Sequence, residues 1–509
     1  MMKDKRLFQR LESIDFAGFK VRCAKSNETL SVDAEIVNLS LNGASLVADQ
    51  PLGTPFDIQL TLPKQHGEKS MTVTADLMWM RFDNTEKKYI HGVSFPEVNS
   101  ATRDFIAAVI QKELDELDKN QSLLIPKDRQ NNYKMEVIKK RLSWIAHKTG
   151  TKLSHLQRFT VNPEGFKGNI ENLIGVTNIP LGIAGPLLVH GQHARGEFYV
   201  PMATTEGALV MTYDLGMRIL SKAGGVSTKI LKDEIHISPA FLVGTMKKTD
   251  EFIAWINSNY KYIKQKAEST TRHGKLLRVE PITVSTKTLL RFVFFTGDAQ
   301  GLNMINKAVK EACDYIQKET GYKYVQRANY SGIKKLNMDN IYNGLGKSVV
   351  AEATIPKSIL RVLRVTPEEI CQLYDLGALS STYAGMIGRT AHIANGITAI
   401  FLACGQDVAD ISVSHIGFMS YEVLESGDLY MRLNVPNLLL GTVGGGTGLG
   451  SQKECLEILD CYGTGKAKKF AEIVTASALA GEIAVLAALI NGSYVEAHEK
   501  YGRNKPANA

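Results

Sequence analysis

The feature that most constrains this chain is a change of pattern near Tyr133. Upstream, residues 18 to 98 read as strands. Glu35-Ile-Val-Asn-Leu and Met71-Thr-Val-Thr-Ala-Asp-Leu-Met-Trp alternate or run apolar, with turn residues between them. Ala101 to Leu117 then carries Phe105, Ile106, Val109, Ile110, Leu114 and Leu117 at helical spacing, so a small β unit closed by a helix is expected over 1–118. Lys119 to Asn132 is polar and holds Pro126, the composition of a linker, taken as 119–135. Downstream, helical and strand-like segments alternate with glycines at their junctions. The region 136–509 is expected to be an α+β body, with 227–320 inserted as β pieces around two helices, Asp250–Ser269 and Met304–Thr320. A chain of 509 residues needs more than one core in any case.

The balance of 44% apolar and 22% charged residues is that of an ordinary globular protein, and a net charge of +8 suits anionic small ligands without indicating a nucleic-acid polymer. The six cysteines (Cys23, Cys313, Cys371, Cys404, Cys455, Cys461) are scattered and form no CxxC pair, so no metal site is expected and buried free thiols in a reducing cytoplasm are. Lys3, Asp4, Lys5 and Arg6 do not make a signal-type segment. The most apolar stretch, Ala476 to Leu489, is broken by Glu482 and falls short of the roughly 20 apolar residues that span a bilayer. The expected location is therefore cytoplasmic, with no membrane anchor.

Two short motifs open the chain. Arg6-Leu-Phe-Gln-Arg10 is an RxxxR, and Asn38-Leu-Ser40-Leu-Asn-Gly43 is an (Asn/Asp)xSxxG. Each alone carries little; together, at the head of a small β unit, they resemble the PilZ family over residues 5 to about 117. The resemblance implies a β-barrel that binds cyclic di-GMP through Arg6, Arg10, Asn38, Ser40 and Gly43. Two guanidinium forks suit phosphates and guanine edges, and glycine permits close backbone approach. The plain alternative is a barrel of the same build whose arginines are merely solvated.

In the larger region Glu206 stands in Met202-Ala-Thr-Thr-Glu-Gly-Ala, at what reads as the first turn of a helix. A carboxylate is favoured there whatever its task. Lys334-Lys335 could be a solvated pair, Asp407 in Gly405-Gln-Asp could begin a helix, and His498 could be surface decoration. The surrounding strings add weight. Glu171-Asn-Leu-Ile-Gly, Pro180-Leu-Gly-Ile-Ala-Gly-Pro-Leu, Gly297-Asp-Ala-Gln-Gly-Leu-Asn-Met, Gly346-Lys-Ser-Val-Val-Ala-Glu-Ala, Ala403-Cys-Gly-Gln-Asp and Gly441-Thr-Val-Gly-Gly-Gly-Thr follow in one order. In that order the chain resembles hydroxymethylglutaryl-CoA reductase across about residues 136 to 505.

The resemblance implies a large acyl-CoA domain with an inserted ferredoxin-like cofactor domain, at least a homodimer, and NADPH-dependent four-electron reduction of an acyl-CoA thioester, in the family (S)-HMG-CoA to mevalonate. Residue by residue, Glu206 matches the family's proton-donating glutamate and Lys334 the lysine that polarises the carbonyl. Asp407 matches the aspartate linking the two, and His498 the histidine that protonates the departing thiolate. Hydride delivery to a carbonyl leaves an alkoxide, which needs a cation and an acid beside it. The cofactor loop resembles the family's Asp-Ala-Met-Gly-Met-Asn, here Asp298, Ala299, Gln300, Gly301, Leu302 and Asn303, with Gln300 and Leu302 in place of the methionines. Thr271-Arg272 falls where NADPH-using members hold the 2′-phosphate. Gly444, Gly445, Gly446 and Thr447 precede a helical segment whose amides could approach the cofactor.

Some positions depart from the family. Where it places an arginine, an aspartate, a serine and a lysine for the substrate, this chain holds Ile237, Ile333, Arg327 and Leu376. An apolar side chain opposite a buried carboxylate costs several kcal/mol. Three readings result: reduction of HMG-CoA in a rearranged pocket, reduction of a different acyl thioester, or a cyclic di-GMP-binding protein carrying an inactive reductase scaffold. Regulation of the reductase by cyclic di-GMP is an expectation that rests only on the fusion.

Overall fold

The computed structural model describes residues 20–25, 31–40, 43–52, 56–61, 70–83, 87–95, 99–119, 124–128, 130–156, 158–497 and 499–500. Arg6, Arg10 and His498 lie outside them. The chain divides into two compact units, the first comprising 1–132 and 136–153, the second 133–135 and 154–509.

In the first unit, β1 (Lys20–Lys25), β2 (Ser31–Ser40), β3 (Gly43–Ala48), β4 (Phe56–Thr61), β5 (Ser70–Asp83) and β6 (Lys88–Ser94) close into an antiparallel barrel in the order β1-β2-β3-β6-β5-β4. Alternation turns Ala34, Ile36, Leu46, Val73, Ala75 and Val93 inward, where α1 (Ser100–Lys119) adds Ile106 and Ile110 to the same core. Gly43 begins β3 opposite Ser94, and a Cβ there would stand 2.1 Å from the Val93 carbonyl oxygen, so the approach of β3 to β6 requires glycine. The helix α2 (Met135–Thr149) belongs to this unit. Its Arg141 is fully buried and holds the preceding segment in place, donating to the carbonyls of Pro126 (2.8 Å) and Asn132 (2.9 Å) and to Asn132 Oδ1 (2.6 Å). Part of what the sequence presents as linker is thus fixed by hydrogen bonds.

The second unit is organised around one sheet. It contains β7 (Leu181–Gly191), β8 (Arg195–Ala203), β9 (Val226–Ile237), β10 (Ala240–Leu242), β11 (Lys275–Val284), β12 (Lys287–Phe295), β13 (Tyr324–Val325), β14 (Gly346–Ile355), β15 (Phe418–Val423) and β16 (Leu429–Leu438). The long strand β9 joins its two parts. It pairs with β7 through Val226–Thr228, with β14 from Ser227 to Glu234, and with β12 through Ile235–Ile237. On the β12 side, α4 (Met246–Ser258), α5 (Tyr260–Glu268) and α6 (Leu302–Thr320) cover a core that includes Ile237, Phe252, Ile263, Phe292, Ile305 and Val309. The single helix expected over 250–269 is two helices, broken at Asn259, which ends α4 and starts α5.

The other half holds α3 (Leu209–Lys222), α7 (Met338–Asn343), α8 (Lys357–Leu360), α9 (Pro367–Tyr383), α10 (Ile393–Ala403), α11 (Ile411–Ser414), α12 (Gly450–Ile458), α13 (Ala467–Ile490) and α14 (Ser493–Ala497). The helix α13 is apolar on every side and buried along almost its whole length, the pattern of a central core helix. Its 24 residues exceed the shorter apolar stretch expected from sequence, and it is long and apolar enough to cross a membrane, but here it is enclosed by protein. Small residues let neighbours close on it. A Cβ on Gly216 of α3 would lie 1.8 Å from the Ala480 carbonyl oxygen, and Tyr213 fits between Gly396 of α10 and Gly481 of α13. The two buried carboxylates of α13 are spent on backbone amides. Glu472 accepts from Gln192, His193 and Ala194 (3.1, 2.8 and 2.7 Å) and so fixes the β7–β8 turn. Glu482 accepts from Ala391 (2.6 Å) and His392 (2.8 Å) just before α10.

Candidate active site

Glu206 lies two residues before the helix cap Ala208, in the loop between β8 and α3, and not in the first turn of a helix as the sequence implies. The left-handed Ala208 (φ +68°) delays the start of α3 and leaves Glu206 exposed at the mouth of a cavity of about 420 Å³. Thr204, Thr205, Asn395 and Thr398 supply its polar lining. Thr204 Oγ1 accepts the Glu206 amide at 3.0 Å. Asn395, in the first turn of α10, donates to both carboxylate oxygens, 3.0 Å to Oε1 and 2.8 Å to Oε2.

The placement of Asn395 traces back to Glu482. The first amides of a helix have no intrahelical acceptor. Here a carboxylate reaching across from α13 takes the two amides leading into α10, which sets where that helix begins. Burial pushes Glu482 up to about 7 against the pull of those amide bonds. His392, at the helix cap, rests against Tyr213 with ring centroids 5.3 Å apart, and burial holds its imidazole below the usual range.

Lys334 and Asp407 come from distant loops and meet at 2.6 Å, Nζ to Oδ2. Lys334 has a left-handed backbone (φ +59°) in a turn closed by the Lys335 amide and Gly332 carbonyl. The buried Asn340 holds this turn from beneath, donating from Nδ2 to the Ser331 carbonyl (3.1 Å), and its own Oδ1 faces His236 Nε2 at 3.1 Å. Burial pushes His236 down to about 4, so the ring is neutral, and the contact requires its Nε2 to carry the proton. Asp407 caps a 3-10 turn over Val408–Asp410, accepting the Ala409 amide at 3.1 Å. Asp410 is buried within that turn. Burial first, then the neighbouring Asp407 charge, raises it to about 7, while Lys334 and a hydrogen bond from Gln300 pull the other way. The structure thus brings together Lys334 with Asp407, and Glu206 with Asn395. Among the described residues no direct bond joins the two pairs.

The expected cofactor residues form a braced loop between β12 and α6. Asp298 accepts amides from Gly465 (2.8 Å) and Ala467 (3.1 Å), Leu302 is buried, and Gln300 Nε2 donates to Asp410. Thr271 Oγ1 bonds to Met304 Sδ and to the amides of His273 and Gly274, leaving Arg272 exposed beside it. The loop Gly441–Thr447 presses on the first: a Cβ on Gly441 would meet the Gln300 nitrogen at 2.6 Å. Thr447 is buried and donates to the Gly444 carbonyl. Side chains here hold the loops, and backbone is what they leave for a ligand. Gly444 (φ +81°) and Gly445 (φ +58°) adopt glycine-favoured conformations with open space where a side chain would be. Gly301 (φ +87°) starts α6 with no side-chain cap, so the first amides of a 19-residue helix are not taken by a cap.

Asn395, Asn340, His236, Asp410 and Glu482 were not singled out from the sequence. Only Glu482 carried a signal: a lone carboxylate in an apolar run has to find partners or lose its charge.

The family model for hydroxymethylglutaryl-coenzyme A reductase matches residues 137–503, and that for the PilZ domain matches 4–112. The chain belongs to the hydroxymethylglutaryl-coenzyme A reductase family. Its reductase region follows an N-terminal PilZ domain. The 3-hydroxy-3-methylglutaryl-coenzyme A reductase of Methanocaldococcus jannaschii is 43% identical over 373 residues, 71% of this chain and 92% of that protein. The Pyrococcus horikoshii reductase is 42% identical over 370 residues, 70% of this chain and 90% of that protein. A solved class II reductase from Streptococcus pneumoniae, bound to NADPH in open conformations, shares the fold. Its TM-score is 0.53 at 19% identity, over 75% of this chain and 97% of that one.

Proposed function

We propose that the chain reduces (S)-HMG-CoA to mevalonate with NADPH, and that its PilZ domain binds cyclic di-GMP. The observation that carries the first part is the Lys334–Asp407 ion pair, made by two residues 73 positions apart. NADPH, when bound, supplies the hydrides. Lys334 neutralises the oxyanion formed at the thioester carbon, with Asp407 fixing its ammonium. The carbon–sulfur bond then breaks to give an aldehyde and the CoA thiolate, which takes its proton from His498. In the second reduction Glu206, held by Asn395, donates the proton that turns the new alkoxide into the alcohol. The uncapped start of α6 and the open backbone of Gly444–Gly446 suit the dinucleotide phosphates, and Thr271-Arg272 suits a 2′-phosphate. By family resemblance two copies build the site, so sedimentation should find at least a dimer. The inserted part around β9–β12 corresponds to the family's ferredoxin-like cofactor domain. Arg6, Arg10, Asn38, Ser40 and Gly43 are the residues for cyclic di-GMP.

A second reading, reduction of a different acyl thioester, is favoured by one observation. Ile237, where the family places a substrate-binding arginine, is fully buried in an apolar core and offers a substrate nothing. NADPH oxidation measured with HMG-CoA and with acyl-CoAs lacking the distal carboxylate decides between them. Turnover of HMG-CoA supports the first reading, turnover only of the others supports the second, and none with any thioester leaves an inactive scaffold.

A further inference from the structure

The 3-10 turn that begins at Asp407 is pinned at both ends. At its start, Asp407 Oδ2 takes Lys334 Nζ at 2.6 Å. At its end, Asp410 donates its own amide to the Asp407 carbonyl (3.0 Å), and its carboxylate accepts from Gln300 Nε2. Asp410 is fully buried, and its other oxygen, Oδ1, has no hydrogen-bond partner. Gln300 therefore supplies the only hydrogen bond this carboxylate receives from the described residues. Gln300 comes from a loop that cannot easily move. Asp298 is bonded to the amides of Gly465 and Ala467, its carbonyl takes the Thr442 amide at 2.8 Å, and Gly441 closes on the Gln300 backbone. The family pattern has methionine where Gln300 stands, and a thioether can donate nothing to a carboxylate.

We propose that Gln300 and Asp410 form a latch that ties the Gly297–Asn303 loop to the Asp407 turn, making Gln300 a positioning residue for the Lys334–Asp407 pair rather than a contact for the cofactor. The assignment of work to that pair rests on the reductase reading above. The latch works through hydrogen bonding, so an amide at position 410 should serve as well as a carboxylate. Near neutral pH the buried Asp410 is already close to losing its charge.

The test uses the full chain with NADPH and HMG-CoA. Gln300→Met and Asp410→Ala should each lower kcat by about tenfold or more, with the KM for NADPH within about twofold of the parent. The double variant should be no worse than the poorer single one, because both changes remove one interaction. Asp410→Asn should keep at least about half of the parent kcat. A raised KM for NADPH at unchanged kcat in Gln300→Met would overturn the latch in favour of a cofactor contact. So would multiplying effects in the double variant, or an Asp410→Asn enzyme as poor as Asp410→Ala. Should Gln300→Met fail to fold, the Asn and Ala variants at 410 decide. Hydrogen exchange across residues 406–412 gives an answer that does not depend on turnover. Exchange about fivefold faster in Gln300→Met or Asp410→Ala is expected, and unchanged exchange sinks the latch. A parent chain that oxidises no NADPH with any thioester removes the reductase reading, while the exchange result still judges the latch.

Discussion

At the scale of single residues, the site depends on groups that hold other groups. Asn395 donates to both oxygens of Glu206, an arrangement that sets the carboxylate's direction. If Glu206 is the acid, as proposed, Asn395→Ala should lower kcat roughly a hundredfold with a much smaller change in KM, since orientation of an acid matters most in the transition state. Asn395→Asp should be worse, because it sets a second carboxylate against the first; steady-state kinetics on both variants checks the order. A second expectation concerns pH. Asp410 is raised from 3.8, and Glu482 from 4.5, each to about 7 by burial. An acid with a raised value holds its proton more tightly folded than unfolded. Above its ordinary value the unfolded chain releases the proton first, so this stabilisation is full below about pH 4 and is lost as pH rises to about 7. Asp410→Asn should therefore gain on the parent between pH 4 and 8, by about 2–4 kcal/mol in urea denaturation, and a constant difference would contradict the assignment. His236, pushed down to about 4, acts in the opposite sense: its contribution is present above about 6.5 and lost as pH falls through 4.

At the scale of elements, the sequence was legible where a period or a motif had one reading. Alternation in β2 and β5 and the helical spacing of α1 are visible in the residues, because a strand or helix with one buried face repeats its apolar positions at a fixed period. The buried interior of α13 was not, because a helix covered on all sides shows no period and its glutamates look like interruptions. Long-range pairs such as Glu482 with Ala391 and His392 leave no local trace at all. For the candidate site, motif resemblance singled out Glu206, Lys334 and Asp407, but the partners around them are distant in sequence: Asn395 is 189 positions from Glu206, and Gln300 is 110 positions from Asp410 in the Asp407 turn. The same glycine count hides opposite roles. Gly216→Ala would drive a methyl into the Ala480 carbonyl at the α3–α13 crossing and should cost about 1–3 kcal/mol or more. Gly377, at an exposed position of α9, has open space where a Cβ would stand, so Gly377→Ala should gain roughly 0.5–1 kcal/mol. Thermal melts of the two variants should move in opposite directions.

For the whole molecule, the reductase family match begins at residue 137, inside α2, yet α2 belongs to the compact unit that contains the barrel. Within that unit, Arg141 fixes α2 to the segment that follows the barrel. Regulation of the reductase by cyclic di-GMP, expected from the fusion of the two in one chain, would be a coupling between two binding sites. Such coupling is reciprocal in free energy. If cyclic di-GMP changes the affinity for HMG-CoA by some factor, HMG-CoA must change the affinity for cyclic di-GMP by the same factor. Calorimetric titration of the full chain with cyclic di-GMP, with and without saturating HMG-CoA, should show a shift of about fivefold or more, the lower end of typical coupling. Direct titration with HMG-CoA, with and without the dinucleotide, should show the same shift. Arg10→Ala should abolish both the dinucleotide binding and the shift, while leaving basal turnover unchanged. Equal affinities in the two titrations would mean that the units are joined without being coupled.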